Sequence, residues 1–369
     1  MRNVETPSQG LPISRRRKLV FAGLIACGGL IAGAIVAEFL LRLYGTTDDR
    51  GRYEWVDDPI LFYRMRAGVV EDGPTGRRSQ TVQHLRGPAV FEKMPPPGTD
   101  RVLWVGDSAC FGTGVDDAQT AAHQFQRLAG SVRPTESINL GVEGYNIRQI
   151  RETLIRRSVE FQGARLVVYY HHENDLVNAP WAEVAPFLPG GLYWEFEAPQ
   201  PTIKLVLKRS VLARRLLNSW RRLSAPVPEV AGDRGANTDG RAGQMEDVPT
   251  RAVSEFTRTC TMLYQDESAY GRRFREELRL MRDRADAIGA EFVMVYWPSR
   301  TLLGSADLER LRAVLAQWCA EDGVKLVDVT HAFLADSSTE LYFDTVHPGP
   351  TGQRIIAEEV LRVWSGGGR

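Results

Sequence analysis

Five apolar runs constrain this chain more than any other feature: Val102 to Val105, Ser137 to Leu140, Leu166 to Tyr170, Phe292 to Trp297 and Val324 to Val329. They are nearly continuous rather than alternating, which suits strands covered on both faces, as in a parallel sheet. Between them the apolar spacing becomes helical over Thr120 to Leu128, Ile147 to Glu160, Tyr270 to Ile288, Ala306 to Ala320 and Thr351 to Trp364. Strand and helix in alternation predict an α/β fold, a three-layer α/β/α domain around about five parallel strands.

In open α/β sheets the chemistry gathers at the carboxyl ends of the strands. There the first run closes in Gly106-Asp107-Ser108, which places an exposed serine at that edge. Three later segments carry the groups such a serine needs: Asn139-Leu-Gly-Val-Glu-Gly144, Glu173-Asn174-Asp175 and Asp344-Thr-Val-His347-Pro348. In this order the four segments resemble the blocks of the SGNH (GDSL-type) hydrolase family, over about Arg101 to Trp364. The resemblance implies a five-stranded, flavodoxin-like sheet and a serine hydrolase acting on carboxylic esters without cofactor or metal. It assigns Ser108 as nucleophile, His347 as base and Asp344 as the partner of that base. It builds the oxyanion hole from the backbone N–H groups of Ser108 and Gly144 and the side-chain amide of Asn174.

Each residue also has a reading of its own. A serine hydroxyl is unreactive at neutral pH unless an imidazole takes its proton, and an acidic residue three positions before His347 can reach the other ring nitrogen. Pro350 suits the first turn of a terminal helix. A backbone donor that approaches substrate closely favours glycine, and Gly144, five residues after Asn139, fits better than Gly141, which suits a tight turn. Asn174 could instead cap its strand. Asp107 is expected to brace its loop. Cys110, two residues past Ser108, is expected to be a small buried residue rather than a nucleophile.

His172 stands where the family usually has a glycine, so the local backbone path is open. His171 and His172, adjacent on a strand, point to opposite faces and do not suit joint metal ligation. His84, His123 and His331 have no partner pattern and are expected to be structural. Gly112-Thr-Gly114 lacks the third glycine and the later acidic residue of a dinucleotide-binding loop.

Leu19 to Ala37 is uncharged and, as a helix, would span roughly 28 Å, close to the hydrocarbon thickness of a bilayer. Arg15-Arg16-Arg17-Lys18 precede it, which keeps the N-terminus cytoplasmic. The expected organisation is a cytoplasmic N-terminus over residues 1–18, a signal anchor over 19–41, a neck over 42–100 that ends in Met94-Pro-Pro-Pro-Gly98, and a hydrolase domain over 101–369 with an insertion at 176–266. The alternative is a cleaved signal peptide with Ala32-x-Ala34 as its site. Gly29-x-x-x-Gly33 is a weak helix-dimerisation signal.

Lys+Arg and Asp+Glu number 46 each among 369 residues, which argues against a nucleic-acid binder as a whole. The four cysteines fit no metal spacing, and a Cys260–Cys319 disulfide stays open. Within the insertion, Pro226 to Pro249 has the composition of a mobile loop. Lys204 to Leu223 has a basic helical pattern, which suits either a solvated cap or contact with anionic lipid head groups or an anionic polymer. The function expected is an extracytoplasmic, membrane-anchored serine esterase that removes acyl groups, O-acetyl among them, from a cell-envelope glycan or lipid. Two alternatives stand beside it: an O-acyltransferase that uses the same residues on envelope polysaccharide, and an inactive glycan-binding scaffold.

Overall fold

The computed structural model describes residues 15–44, 53–56, 58, 60–61, 63–72, 78–176, 212, 260–261, 263–265 and 268–366. The basic segment 204–223 (apart from Leu212) and the stretch 226–249, expected from its composition to be a mobile loop, lie outside them. The chain divides into two compact units, residues 1–51 with 201–232 and residues 52–200 with 233–369. In the first, helix α1 (Arg15–Tyr44) contains a 20-residue apolar stretch, Phe21–Leu40, of mean hydropathy 2.0, none of it buried. Its length and composition suit a membrane span or a signal sequence.

The second unit opens with an antiparallel pair, β1 (Tyr53–Trp55) and β2 (Tyr63–Met65), followed by β3 (Val70–Asp72), β4 (Arg78–Val82) and β5 (Leu85–Arg86). Strand and helix then alternate: β6 (Asp100–Gly106), the short α2 (Ser108–Phe111), α3 (Ala121–Gly130), β7 (Thr135–Asn139), α4 (Ile147–Glu160) and β8 (Ala164–His171). Next among the described elements come α5 (Ala269–Ala287), β9 (Glu291–Tyr296), α6 (Ala306–Glu321), β10 (Lys325–Asp328), α7 (Thr330–Ala335) and α8 (Pro350–Gly366). Side-chain caps set several helix starts: Thr120, Asn146, Ser268 and Ser305 each accept a backbone N–H of the first turn. Pro350 opens α8, where a missing N–H costs nothing.

Among the described residues the main sheet has eight strands in the order β10-β9-β8-β6-β7-β5-β4-β3. Its first five are parallel and follow the flavodoxin-like order that the sequence resemblance implies. The expected count of about five is corrected by β5, β4 and β3, which continue the sheet antiparallel beyond β7. They come from the stretch expected to be a neck. Strands of two to five residues carry too few positions to show a period in sequence, and they exist only by pairing with an edge already in place.

Alternate residues of each central strand feed two separate cores. Leu103, Val105, Val167, Tyr169, Met294 and Tyr296 pack with α4, α5 and α6 on one face. Val102, Trp104, Val168, Tyr170, Val293 and Val295 pack with α2, α3, α7 and α8 on the other. Both sets are apolar, which explains the unbroken runs in sequence, and each buried aliphatic or aromatic side chain contributes about 1.5–3 kcal/mol.

Candidate active site

Gly106 ends β6 where no side chain fits: a Cβ there would lie 2.6 Å from Cys110 Cβ and 2.8 Å from the Tyr170 carbonyl oxygen. The chain then turns sharply. Asp107 caps α2 by accepting the Ala109 N–H at 2.9 Å, and Gly112 closes the helix in the left-handed region at φ 87°. Asp107 thus braces the loop, as its sequence context predicts. Ser108 is the first residue of α2, so its N–H lies outside the helical ladder.

The loop after β7 is bolted to this turn. Asn139 donates through Nδ2 to the Cys110 carbonyl at 2.8 Å and accepts the Gly141 N–H at 3.0 Å, while the Val142 N–H donates to the Gly106 carbonyl at 3.2 Å. Gly141 packs against α2, where a Cβ would lie 2.3 Å from the Phe111 nitrogen. Gly144 has φ +78°, and a Cβ there would lie 2.9 Å from Tyr63 Oη. Tyr63 in turn donates to the Glu143 carbonyl at 2.8 Å.

The last loop carries Asp344 and His347. Asp344 Oδ1 accepts the backbone N–H groups of Val346 at 2.7 Å and His347 at 2.6 Å, which curls the segment into a tight turn. Asp344 Oδ2 then lies 2.8 Å from His347 Nδ1, and His347 Nε2 lies 2.9 Å from Ser108 Oγ. Burial works against charge on both groups, but their pairing wins. The Asp344 carboxyl is held down at about 2 by His347 and the two backbone donors, and the His347 ring is raised above its ordinary value by Asp344. Such a relay lets the imidazole take the hydroxyl proton while the carboxylate fixes its tautomer.

Asn174 follows β8 in a 3-10 turn, Glu173–Leu176, and is buried. Because β6 pairs with both β7 and β8 in parallel, Ser108, Gly144 and Asn174 leave three adjacent strands at the same edge. His172 takes the expected glycine position with ordinary backbone, since positive φ at non-glycine positions is confined to Gln83 and His84 among the described residues.

His171 and His172 face opposite cores. His171 lies among Tyr264, Phe274 and Tyr296 with Nδ1 3.0 Å from Asp175 Oδ2, whereas His172 stacks on Trp297 with ring centroids 4.7 Å apart. His84 contacts the Met65 carbonyl oxygen through Nδ1 at 3.0 Å, and His123 and His331 are exposed. Among the described residues, no group of three or more His, Cys, Asp and Glu side chains could hold a metal ion. Cys110, Cys260 and Cys319 are buried, and Cys110 and Cys319 are free thiols.

The profile of the GDSL-like lipase/acylhydrolase family matches residues 104–355. The chain belongs to this family. It is therefore an SGNH-type hydrolase, an enzyme of the esterase and acylhydrolase class. Solved structures similar to this GDSL-type chain include TesA, at 16% identity and TM-score 0.41 over 72% of this chain and 99% of that one. Others are the esterase EstA from Pseudoalteromonas sp., at 12% identity and TM-score 0.39 over 72% and 99%, and the acetyl xylan esterase Axe2 from Geobacillus stearothermophilus, at 14% and 0.38 over 73% and 95%. No curated protein matches the sequence.

Several residues around the Gly106-Asp107-Ser108 turn escape sequence reading. Gln353, wholly buried on α8, accepts the Ala121 N–H at 2.9 Å and donates to the Ala109 carbonyl at 3.0 Å, so it ties α8 and α3 to the helix that carries Ser108. Its one sequence signal is a glutamine on the apolar face of an amphipathic helix. Arg86 reaches the same turn from β5: it donates to the Val115 carbonyl at 2.7 Å and lies over the Phe111 ring at 4.7 Å.

Proposed function

We propose that this acylhydrolase is a serine esterase, anchored by residues 19–41, whose domain outside the cytoplasm removes acyl groups such as O-acetyl from an envelope glycan or lipid. The relay from Asp344 through His347 to Ser108, with contacts of 2.8 and 2.9 Å, carries this reading. Ser108 Oγ attacks the ester carbonyl carbon as its proton passes to His347 Nε2. The N–H groups of Ser108 and Gly144 and the Asn174 amide receive the oxyanion. Collapse of the tetrahedral intermediate expels the alcohol, which leaves with the proton held by His347. Water, activated by the same imidazole, then releases the acid from the acyl-serine. A sugar hydroxyl in place of that water would make the same site a transferase.

Ser108→Ala and His347→Ala should each lower turnover of a chromogenic short-chain ester by several orders of magnitude, and the double variant should be little worse than either. An organophosphonate should label Ser108. A folded Ser108→Ala enzyme with wild-type turnover, or an adduct on another serine, would sink the assignment. Product analysis on acetylated glycans separates the two outcomes, since hydrolysis yields free acid and transfer yields an acylated acceptor. Protease added to spheroplasts should digest the hydrolase domain; complete protection until lysis would reverse the topology.

A further inference from the structure

The reading of Asn174 as an oxyanion donor requires its NH2 to face the substrate and its side-chain oxygen to face a donor of the protein. That oxygen lies 2.7 Å from His172 Nδ1. The other ring nitrogen, His172 Nε2, lies 2.6 Å from Glu173 Oε2. That approach is a close charge contact rather than an aligned hydrogen bond, and an ionised carboxylate at this distance favours a hydrogen on Nε2; Nδ1 can donate to Asn174 only if it carries one too. A neutral ring protonated at Nε2 alone would offer Nδ1 as an acceptor. The amide would then turn its NH2 toward His172 and away from the substrate.

We infer that His172 is a positioning residue, held as an imidazolium by Glu173, whose Nδ1–H fixes the Asn174 amide with its NH2 toward the substrate oxyanion. The inference rests on the oxyanion reading of Asn174 and extends it by naming what sets that amide's orientation.

The surroundings are built for such a clamp. Glu173 is itself fixed, since its Oε1 accepts the Ser299 N–H at 3.1 Å and the Tyr296 hydroxyl at 3.2 Å. Trp297 stacks on the His172 ring with an interplanar angle of 23°. His172, Glu173 and Trp297 are 3%, 1% and 0% exposed, so water does not compete for the ring nitrogens. The Asn174 backbone N–H also approaches Nδ1, but at 3.4 Å it is too long to rival the 2.7 Å contact.

The charged groups around the ring are Glu173 from its own turn, Asp107 from the β6–α2 turn, Asp175, whose Oδ2 accepts the His172 backbone N–H, and His347 from the last loop. Burial opposes the charge, yet Glu173 and Asp107 outweigh it and push the ring up to about 9. The charged ring also offsets a part of the rise that Asp344 imposes on His347.

The test compares wild type, Asn174→Ala, His172→Leu, His172→Gln and the Asn174→Ala/His172→Leu double variant on a chromogenic ester between about pH 6 and pH 10. Asn174→Ala should lose on the order of 10²-fold in kcat. His172→Leu, unable to donate, should lose about tenfold or more in kcat with KM nearly unchanged. His172→Gln can donate to the amide oxygen without titrating. It should recover most of that loss and lack the fall in kcat that wild type develops above about pH 9. The double variant should be no slower than Asn174→Ala.

A folded His172→Leu enzyme at wild-type kcat, or losses that multiply in the double variant, overturns the proposal while leaving the oxyanion reading intact. An Asn174→Ala enzyme at wild-type kcat overturns the oxyanion reading, and this proposal with it. Should the leucine variant not fold, nitrogen NMR of wild type labelled in histidine decides. Two protonated ring nitrogens on His172 at neutral pH support the clamp, and one protonated nitrogen overturns it.

Discussion

Ser108 Oγ and His347 Nε2 stand 2.9 Å apart although 239 positions separate them in sequence. The ring must be neutral to accept the hydroxyl proton, and Asp344 raises its pKa by favouring the charged form. The active fraction therefore falls as pH drops through that raised value. The acid limb of kcat/KM should therefore have its midpoint above the ordinary histidine value of about 6.5. Asp344→Asn should move that midpoint down and lower the plateau. A pH–rate series on a soluble ester checks both, and an unmoved midpoint in the asparagine variant would remove Asp344 from the relay.

Gly144→Ala should impair catalysis more than folding. Its φ of +78° disfavours a side chain, and the new Cβ would crowd the hydroxyl of Tyr63 at 2.9 Å. About 1–2 kcal/mol of stability should be lost, readable from a urea midpoint. A shifted oxyanion N–H should lower kcat by more than tenfold on top of that. Unchanged kcat would take Gly144 out of the oxyanion hole.

Arg101 is fully buried at the start of β6. It pairs with Glu136 and donates at 2.8 Å to the carbonyls of Glu92, Lys93 and Gln162. Arg101→Met keeps the bulk and removes every donor, leaving a carboxylate and three carbonyls with less than they need. Stability should fall by about 3 kcal/mol in chemical denaturation, with activity normal in the fraction that stays folded. A loss below about 1 kcal/mol would mean that water replaces the guanidinium.

Cys110 and Cys319 should be inert in the native enzyme. Burial pushes the Cys110 thiol well up and the Cys319 thiol to about 12, so neither offers thiolate at neutral pH. In a Cys27→Ser background, a thiol reagent should label Cys110 and Cys319 only after unfolding, and reductant should leave the melting temperature unchanged. Rapid native alkylation of Cys110, or a melting point lowered by reductant, would contradict this.

Much of the scaffold is legible in the sequence because β6, β8 and β9 are covered on both faces, so burial writes itself as unbroken apolar runs. The predicted helix over Ile147–Glu160 has the observed bounds, and the terminal helix begins at Pro350, one residue before the predicted Thr351. Ser108, Asp344 and His347 could be singled out because their spacing reflects a local turn and a strand end.

Tyr63, Arg86 and Gln353 could not, since their partners lie in distant segments and nothing nearby in the chain marks them. His172 drew notice only as a departure. Its stacking on Trp297 and its pairing with Glu173 depend on how β8 and β9 lie side by side.

The three antiparallel strands beyond β7 decide where the gene can be cut. Arg86 on β5 braces the helix of Ser108, and Tyr63 on β2 sits under Gly144, so the residues before the family-matched stretch 104–355 are part of its foundations. A soluble enzyme trimmed to the match would expose the edge of β7 as an unpaired, aggregation-prone strand. Excision of the apolar helix should therefore fall between Tyr44 and Tyr53, so that the released protein keeps its whole sheet.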